Sequence, residues 1–133
     1  MKNLDCTILV VEDEAPLLRA IQKKLEASEY DVVTARTVEQ ALGLMEDVEN
    51  IDLIWLDHYL LGKDTGLEFV KKIKENKKWE KIPIFLVTNT ATASKVHTYI
   101  GLGVEKYFVK SSARLDDIIS EIDTQICQLA EKK

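Results

Sequence analysis

Five short runs of β-branched and other apolar residues, separated by segments with helical periodicity, constrain the fold of this chain most strongly. In the third run the residues Leu53–Leu56 are all apolar, as expected of a strand that is covered on both faces. Strands that alternate with helices in this way form parallel sheets through right-handed crossovers. The predicted strands are Thr7–Val11, Asp31–Ala35, Ile51–Asp57, Ile84–Thr88 and Lys106–Lys110.

Between these strands and after the last one, large apolar residues recur every three or four positions, which predicts five amphipathic helices. Thr37 and Thr65 suit the N-cap positions of the second and third helices. The fourth helix, near Ser94–Ile100, contains few large apolar residues, and Gly101 and Gly103 are expected to end it. We therefore predict an α/β fold, a doubly wound, flavodoxin-like five-stranded parallel sheet with strand order 2-1-3-4-5.

Length and charge limit the classes of protein to which the chain can belong. Its 133 residues suit one domain, which we expect to span residues 1–133. A net charge of −5 provides no basic footprint for nucleic acid, and no apolar run approaches the ~18 residues that a membrane span requires. Cys6 and Cys127 match no metal or redox spacing. We expect a cytoplasmic domain that binds neither nucleic acid nor membrane.

The residues at the ends of the predicted strands form a chemically related set. Glu12 and Asp13 follow the first strand, and Asp57 ends the third. Thr88 ends the fourth strand and Lys110 ends the fifth. In an open doubly wound sheet, sites form at this carboxyl edge, where the strand order reverses. We therefore expect three carboxylates, a hydroxyl and a cation to lie close together.

Three neighbouring carboxylates require a counter-charge. Two like charges ~4 Å apart repel by ~4 kcal/mol at an effective dielectric constant of ~20, so either one acid is protonated or a cation lies among them. Oxygen ligands without a suitably spaced His or Cys favour Mg²⁺. Lys110 and Thr88 suit an incoming anion, as a cation and a hydroxyl donor. Together these groups indicate a phosphoryl-transfer site in which Asp57 is the nucleophile and forms an aspartyl phosphate.

With these residues in this order, the chain resembles the receiver domains of bacterial two-component response regulators over essentially its whole length. Glu12 and Asp13 match the acidic pair of that family, and Asp57 matches its phosphoacceptor. The family's switch hydroxyl and the lysine that contacts the phosphoryl group correspond to Thr88 and Lys110. The resemblance adds one residue to the set, Tyr107, which matches the switch aromatic residue.

The resemblance also implies a cofactor, a phosphodonor and an output. It implies Mg²⁺ bound by Asp13, Asp57 and the backbone carbonyl of Tyr59, with Glu12 acting through water. The phosphoryl group is expected to come from a histidine kinase or a phosphotransfer protein. After phosphorylation the switch hydroxyl leaves room for the switch aromatic residue to turn inward. This movement is expected to remodel the face formed by the fourth helix, fifth strand and fifth helix, which would bind an unidentified downstream protein or a second copy of the chain.

Four residues depart from the family pattern. Leu61 stands where a proline is usual, and we expect it to loosen the loop after the phosphoacceptor. Ser111 replaces a proline whose peptide bond is cis. Because a cis bond before a residue other than proline costs ~3 kcal/mol, we expect a trans bond and a differently aimed Lys110. Asn89 is expected to narrow access to the phosphoacceptor and Tyr59 to cover the phosphoryl group, so that both slow its hydrolysis.

Two other functional classes remain open. The domain could be a pseudo-receiver that binds partners without being phosphorylated, which the two missing prolines would favour. It could also be a small phosphatase-like enzyme, although Tyr59 stands where a second catalytic acid would be expected. As a receiver, the domain is expected to show self-phosphorylation and slow autodephosphorylation, without dedicated substrate turnover. His58 and His97 are expected to be surface residues or neighbours of the site rather than phosphocarriers.

Overall fold

The strands form the sheet that the alternating pattern predicts. The computed structural model describes residues 6–62, 64–89 and 92–131. Every strand pair in this part of the chain is parallel, and the strand order is 2-1-3-4-5. This arrangement confirms the predicted fold class. The strands are β1 (Thr7–Val11), β2 (Asp31–Ala35), β3 (Ile51–Leu56), β4 (Ile84–Thr88) and β5 (Lys106–Val109).

Two strands end one residue earlier than predicted. β3 ends at Leu56 and β5 ends at Val109, so Asp57 and Lys110 are the first residues of the loops that follow. Their backbones are nevertheless held by the sheet. Asp57 N donates to Val11 O at 3.0 Å, and Lys110 N donates to Thr88 O at 3.2 Å. The two side chains are therefore positioned by a rigid edge although they belong to loops.

Five helices connect and follow the strands. Thr37 caps the second helix, since its Oγ1 accepts from Gln40 N at 3.0 Å. At the start of the third helix, the Glu68 carboxylate accepts from both N and Oγ1 of Thr65 at 3.0 and 2.7 Å. Both predicted N-terminal residues are therefore confirmed. The helices are α1 (Ala15–Ala27), α2 (Val38–Asp47), α3 (Gly66–Glu75), α4 (Ala93–Gly101) and α5 (Leu115–Glu131).

The end of α4 differs from the prediction. The helix includes Gly101, which was expected to break it. Gly103 N closes the last turn by donating to Ile100 O at 2.9 Å, and Gly103 has a φ of +99°. Only this second glycine adopts the left-handed conformation that ends helices and that residues with a Cβ rarely adopt. The prediction that Gly103 ends the helical segment holds, whereas the same prediction for Gly101 is wrong.

The helices cover both faces of the sheet, so two apolar clusters form. One cluster joins residues of α2, α3 and α4 to one face, and the other joins residues of α1 and α5 to the opposite face. Trp55 of β3 is fully buried in the second cluster. In α4, only Tyr99 is buried, which agrees with the sparse apolar pattern of that segment. No helix among the described residues is long and apolar enough to cross a membrane.

Candidate functional site

Glu12 and Asp13 begin the loop between β1 and α1. Glu12 N donates to Ala35 O of β2 at 3.0 Å, and the Glu12 side chain is fully buried. Its Oε2 accepts from Glu14 N at 3.1 Å. Asp13 is half-buried. The two adjacent acids therefore occupy different environments, one inside the protein and one at its surface.

Asp57 is buried at the edge of the sheet, with 3% of its surface exposed. The start of α3 packs directly on the backbone of this segment. Gly66 N donates to His58 O at 2.9 Å, and a Cβ at Gly66 would lie 2.6 Å from Asp57 O. No side chain fits at that distance, so glycine is required for α3 to approach Asp57 this closely.

The three carboxylates meet as the sequence predicts. One oxygen each from Glu12, Asp13 and Asp57 lies within 4.8 Å of the other two. Carboxylate oxygens are hard ligands, and a cluster of three without nitrogen or sulfur donors suits Mg²⁺ or a similar hard cation. The donor set therefore fits the cofactor that the resemblance implies.

Lys110 lies against two of these acids. Its Nζ is 2.9 Å from Asp57 Oδ2, which accepts a hydrogen bond from it, and 2.8 Å from Glu12 Oε1. The second contact is an ion pair rather than a well-aligned hydrogen bond. Burial alone would lower the pKa of Lys110, but the contacts with Glu12 and Asp57 raise it above its usual value. Lys110 is therefore charged and provides the cation of the site.

Glu12 is the acid most affected by burial. Loss of hydration raises the pKa of Glu12 to about 7, although the nearby Lys110 ammonium and the Glu14 N–H act to lower it. The negative charge of Asp57 adds to the increase. One cation shared between two buried carboxylates therefore does not compensate the cost of burying Glu12 in its ionised form.

Thr88 is the last residue of β4, and Tyr107 lies on β5. Thr88 is fully buried, and its Oγ1 has no hydrogen-bond partner among the residues that the structure describes. A buried hydroxyl without a partner is unfavourable by roughly 1–3 kcal/mol. Tyr107 is half-buried and packs against the cluster formed with α2, α3 and α4. Both residues thus lie on the strands predicted for them from the sequence.

Tyr59 is exposed and bridges the site to α4. Its N–H is 3.4 Å from Asp57 Oδ1. Its ring packs edge-on against His58, with ring centres 4.6 Å apart. Lys95 of α4 donates to the Tyr59 hydroxyl at 3.2 Å and has its Nζ 5.2 Å from the ring centre. The loop after β3 is therefore connected to α4 through the side chain of Tyr59.

Comparison with known sequences identifies the family. A sequence model of the response regulator receiver domain matches residues 8–123. The chain belongs to this family. The assignment of the whole of residues 1–133 to one receiver domain stays a prediction.

Relatives agree with membership of this family, and solved structures share its fold. The chain is 33% identical over 104 residues to the chemotaxis protein CheY homolog of Campylobacter jejuni, covering 77% of this chain and 79% of that protein. A CheY-like receiver domain protein from Methanospirillum hungatei has the same fold, with a TM-score of 0.87 and 22% identity, covering 96% of this chain and 98% of the other. The Mn²⁺-bound form of response regulator Rcp1 aligns with a TM-score of 0.74 and 28% identity, over 84% of this chain and 86% of that one.

The structure shows the surroundings of two departures from the family pattern, Leu61 and Ser111. Leu61 N donates to Arg36 O at 3.1 Å, a hydrogen bond that a proline could not make. Leu61 thus attaches the loop of this receiver domain to the segment after β2, and the expected loosening of the loop stays a prediction. The Lys110–Ser111 bond is trans, as expected, because the described residues contain no cis peptide. The Lys110 side chain nevertheless contacts Asp57 and Glu12, so the prediction that it points in a different direction is wrong.

The sequence interpretation missed a buried contact between the site and α4. His58 is buried, with 6% of its surface exposed, and its Nδ1 lies 2.5 Å from the Tyr99 hydroxyl of α4. Burial lowers the pKa of His58, which favours the neutral ring. Tyr99 is the large aromatic residue of an otherwise sparse helix, and this signal in the sequence could have indicated an anchor.

The burial of Glu12 predicts a pH dependence of stability. The pKa of Glu12 is raised from its ordinary value of 4.5 to about 7 in the folded protein, so proton binding by Glu12 stabilises the fold. This stabilisation is fully present below pH 4.5 and is lost as the pH rises through 7. The free energy of unfolding of the metal-free protein should therefore fall by on the order of 2 kcal/mol between pH 5 and 8, relative to the Glu12→Gln variant. Urea denaturation with a chelator present measures this difference. Glu39→Gln, the same change at an exposed residue of α2, is the control, and parallel curves for wild type and Glu12→Gln would contradict the prediction.

The contact between Tyr99 and His58 predicts a loss of stability on removing one hydroxyl. Tyr99→Phe keeps the buried ring but leaves the His58 Nδ1 without its partner. The free energy of unfolding should decrease by about 1–2 kcal/mol. Tyr107→Phe removes the hydroxyl of a half-buried tyrosine and should change it by less than about 0.5 kcal/mol. Equal urea midpoints for Tyr99→Phe and wild type would show that the contact does not contribute.

Proposed function

We propose that this receiver domain is a phosphorylation-dependent switch in which Asp57 accepts the phosphoryl group. The observation that carries the proposal is the position of Lys110 Nζ, 2.9 Å from Asp57 Oδ2 and 2.8 Å from Glu12 Oε1. A nucleophilic carboxylate beside a fixed cation and further acids is the arrangement that phosphoryl transfer requires. Asp57 would form the new P–O bond, and Lys110 and Thr88 would contact the transferred group.

The acid cluster supports Mg²⁺ as the cofactor. Asp13, Asp57 and the backbone carbonyl of Tyr59 would hold the ion, and Glu12 would act through a water molecule. The ion would neutralise negative charge on the phosphoryl oxygens when bound. The Mn²⁺-bound state of the related Rcp1 is consistent with a divalent-cation site in this fold.

The phosphoryl group would come from a histidine kinase or a phosphotransfer protein. In the transfer, the P–N bond of a phosphohistidine breaks as an Asp57 oxygen bonds to phosphorus, and the imidazole nitrogen retains the electron pair. Such donors act in the cytoplasm, and we propose that location for this domain. Nucleic acid and membrane are not proposed as partners, because the net charge of −5 gives no basic footprint.

The output would come from the face formed by α4, β5 and α5. Phosphorylation adds negative charge at Asp57 and draws Lys110 and Thr88 toward it. The Thr88 hydroxyl would gain an acceptor, and its displacement would give Tyr107 room to turn inward. The resulting face would bind a downstream protein or a second copy of the chain. If the free energies of the two conformations of this face differ by only a few kcal/mol, phosphorylation can select one of them.

Phosphorylation at Asp57 can be tested directly. Incubation with Mg²⁺ and acetyl phosphate should add the mass of one phosphoryl group to the wild-type protein. Asp57→Asn should abolish this gain because an amide is not a nucleophile for the reaction. Asp64→Asn, at an exposed acid of the same loop, should retain it. Intact-protein mass spectrometry provides the measurement.

Other outcomes of this experiment identify other functions. No mass gain in the wild type, with no spectral response to beryllofluoride, would indicate a binding module that is not phosphorylated. Repeated turnover of phosphate esters would indicate a phosphatase-like enzyme. A mass gain that persists in Asp57→Asn would assign the phosphoacceptor to another residue.

Tyr59 and Asn89 are proposed to slow hydrolysis of the aspartyl phosphate. Tyr59 lies beside Asp57, and its ring is held by His58 and Lys95, so it can shield the group from water. Tyr59→Ala should shorten the lifetime about threefold or more, equivalent to about 0.7 kcal/mol of activation free energy. Asn89→Ala should act in the same direction.

The lifetime is measured by following loss of the phosphoryl mass after the donor is removed. Tyr59→Phe is the matched control, since it keeps the shielding ring and removes the hydroxyl that Lys95 contacts. It should retain most of the wild-type lifetime. An unchanged lifetime in Tyr59→Ala would exclude Tyr59 from this role.

A further inference from the structure

Arg36, the residue after β2, contacts the loop that carries the acidic pair. Its Nε and Nη2 both donate to the backbone carbonyl of Asp13, at 3.0 and 2.7 Å. A carbonyl oxygen has two lone pairs, so the forked guanidinium satisfies both of them. This geometry fixes the direction of the peptide group that follows Asp13 as well as its position.

Asp13 needs such support more than the other two acids do. Glu12 is held by Lys110 and by Glu14 N, and Asp57 is held by Lys110. In contrast, no hydrogen-bond donor in the part of the chain that the structure describes contacts the Asp13 carboxylate. Among the described contacts, only those of its backbone, which Arg36 holds, restrict where this side chain lies.

The main chain of Arg36 also contacts the second loop of the site. Its carbonyl accepts from Leu61 N at 3.1 Å, and the adjacent Thr37 forms a parallel bridge with Leu61. The loop attached in this way is the one that contains Tyr59. One residue outside the sheet thus connects the loop of Asp13 to the loop that follows Asp57.

We infer that Arg36 is a positioning residue for the divalent-cation site, which it preorganises by fixing the backbone of Asp13. The inference rests on the proposed function, in which Asp13 is a ligand of Mg²⁺. Groups that orient metal ligands change metal affinity by roughly 10–100-fold when they contact the ligand atoms directly. Because Arg36 acts through the backbone, its contribution should be smaller.

Two substitutions separate geometry from charge. Arg36→Lys keeps the positive charge but loses the rigid fork, and Arg36→Gln loses both. If Arg36 positions Asp13, both variants should bind Mg²⁺ about 3- to 10-fold more weakly than wild type. This loss is smaller than the roughly 10–100-fold loss of affinity that follows removal of a group in direct contact with a metal ligand. If its charge mattered most, Arg36→Gln should bind Mg²⁺ more tightly, because a cation near the site would have been removed.

The Mg²⁺ dissociation constants are measured by isothermal titration calorimetry on the full chain. Arg19→Gln, at an exposed arginine of α1, is the matched control and should bind Mg²⁺ as wild type does. The rate of phosphorylation by acetyl phosphate gives a second readout. At saturating Mg²⁺ both Arg36 variants should approach the wild-type rate, because the defect lies in binding the ion and not in the subsequent transfer.

The outcomes distinguish this inference from the proposed function. Mg²⁺ binding by wild type together with unchanged or tighter binding by Arg36→Gln would overturn the role of Arg36 and leave the proposed function standing. Full retention of affinity in Arg36→Lys would likewise overturn it, because charge without the fork would then suffice. Absence of Mg²⁺ binding in the wild type would overturn both. Weaker binding in both variants, with recovery of the rate at saturating Mg²⁺, would establish it.

Discussion

The contact of one ammonium group with two buried carboxylates governs the chemistry of this domain. Glu12 and Asp57 are almost completely removed from water, where an ionised acid without a partner is strongly unfavourable. Lys110 lies within 3 Å of both, but Asp13 adds a third carboxylate to the cluster, and one ammonium group cannot compensate all three. The site therefore retains an excess of negative charge that favours a second cation. A phosphoryl group attached to Asp57 would in turn offer new acceptors to a lysine that is already directed at that position.

The sheet brings these groups together by its strand order. β1 and β3 are neighbours, so the acids that follow them meet at one edge. β4 separates β3 from β5, and with strands ~4.8 Å apart the residue after β5 lies ~10 Å from that after β3. Among the side chains that carry a fixed charge, only the long ones can cover this distance. The lysine after β5 therefore reaches across β4, the strand that ends in the buried Thr88.

The sequence was sufficient for the sheet and for the set of charged residues because both depend on regular geometry. Continuous apolar runs identify the strands, and parallel strands place their final residues at one edge, so the meeting of Glu12, Asp13 and Asp57 followed from their positions alone. The contacts of Tyr99 with His58 and of Arg36 with Asp13 could not be predicted in this way. Each joins residues distant in the chain, and each depends on the path of a loop and on a side-chain rotamer, which hydrophobic periodicity does not encode.

The two residues after Asp57 show how a change at the site could reach the surface. His58 contacts Tyr99, and Tyr59 contacts Lys95, so both connect the loop after β3 to α4. Tyr99 is the single buried residue of that helix, and the position of α4 therefore depends on few contacts. Because coupling between sites typically involves 1–3 kcal/mol, a shift of this loop that alters one or two of these hydrogen bonds is of the right size to move the helix. The response of α4 would then follow from its direct connection to residues 58 and 59 as well as from Thr88 and Tyr107.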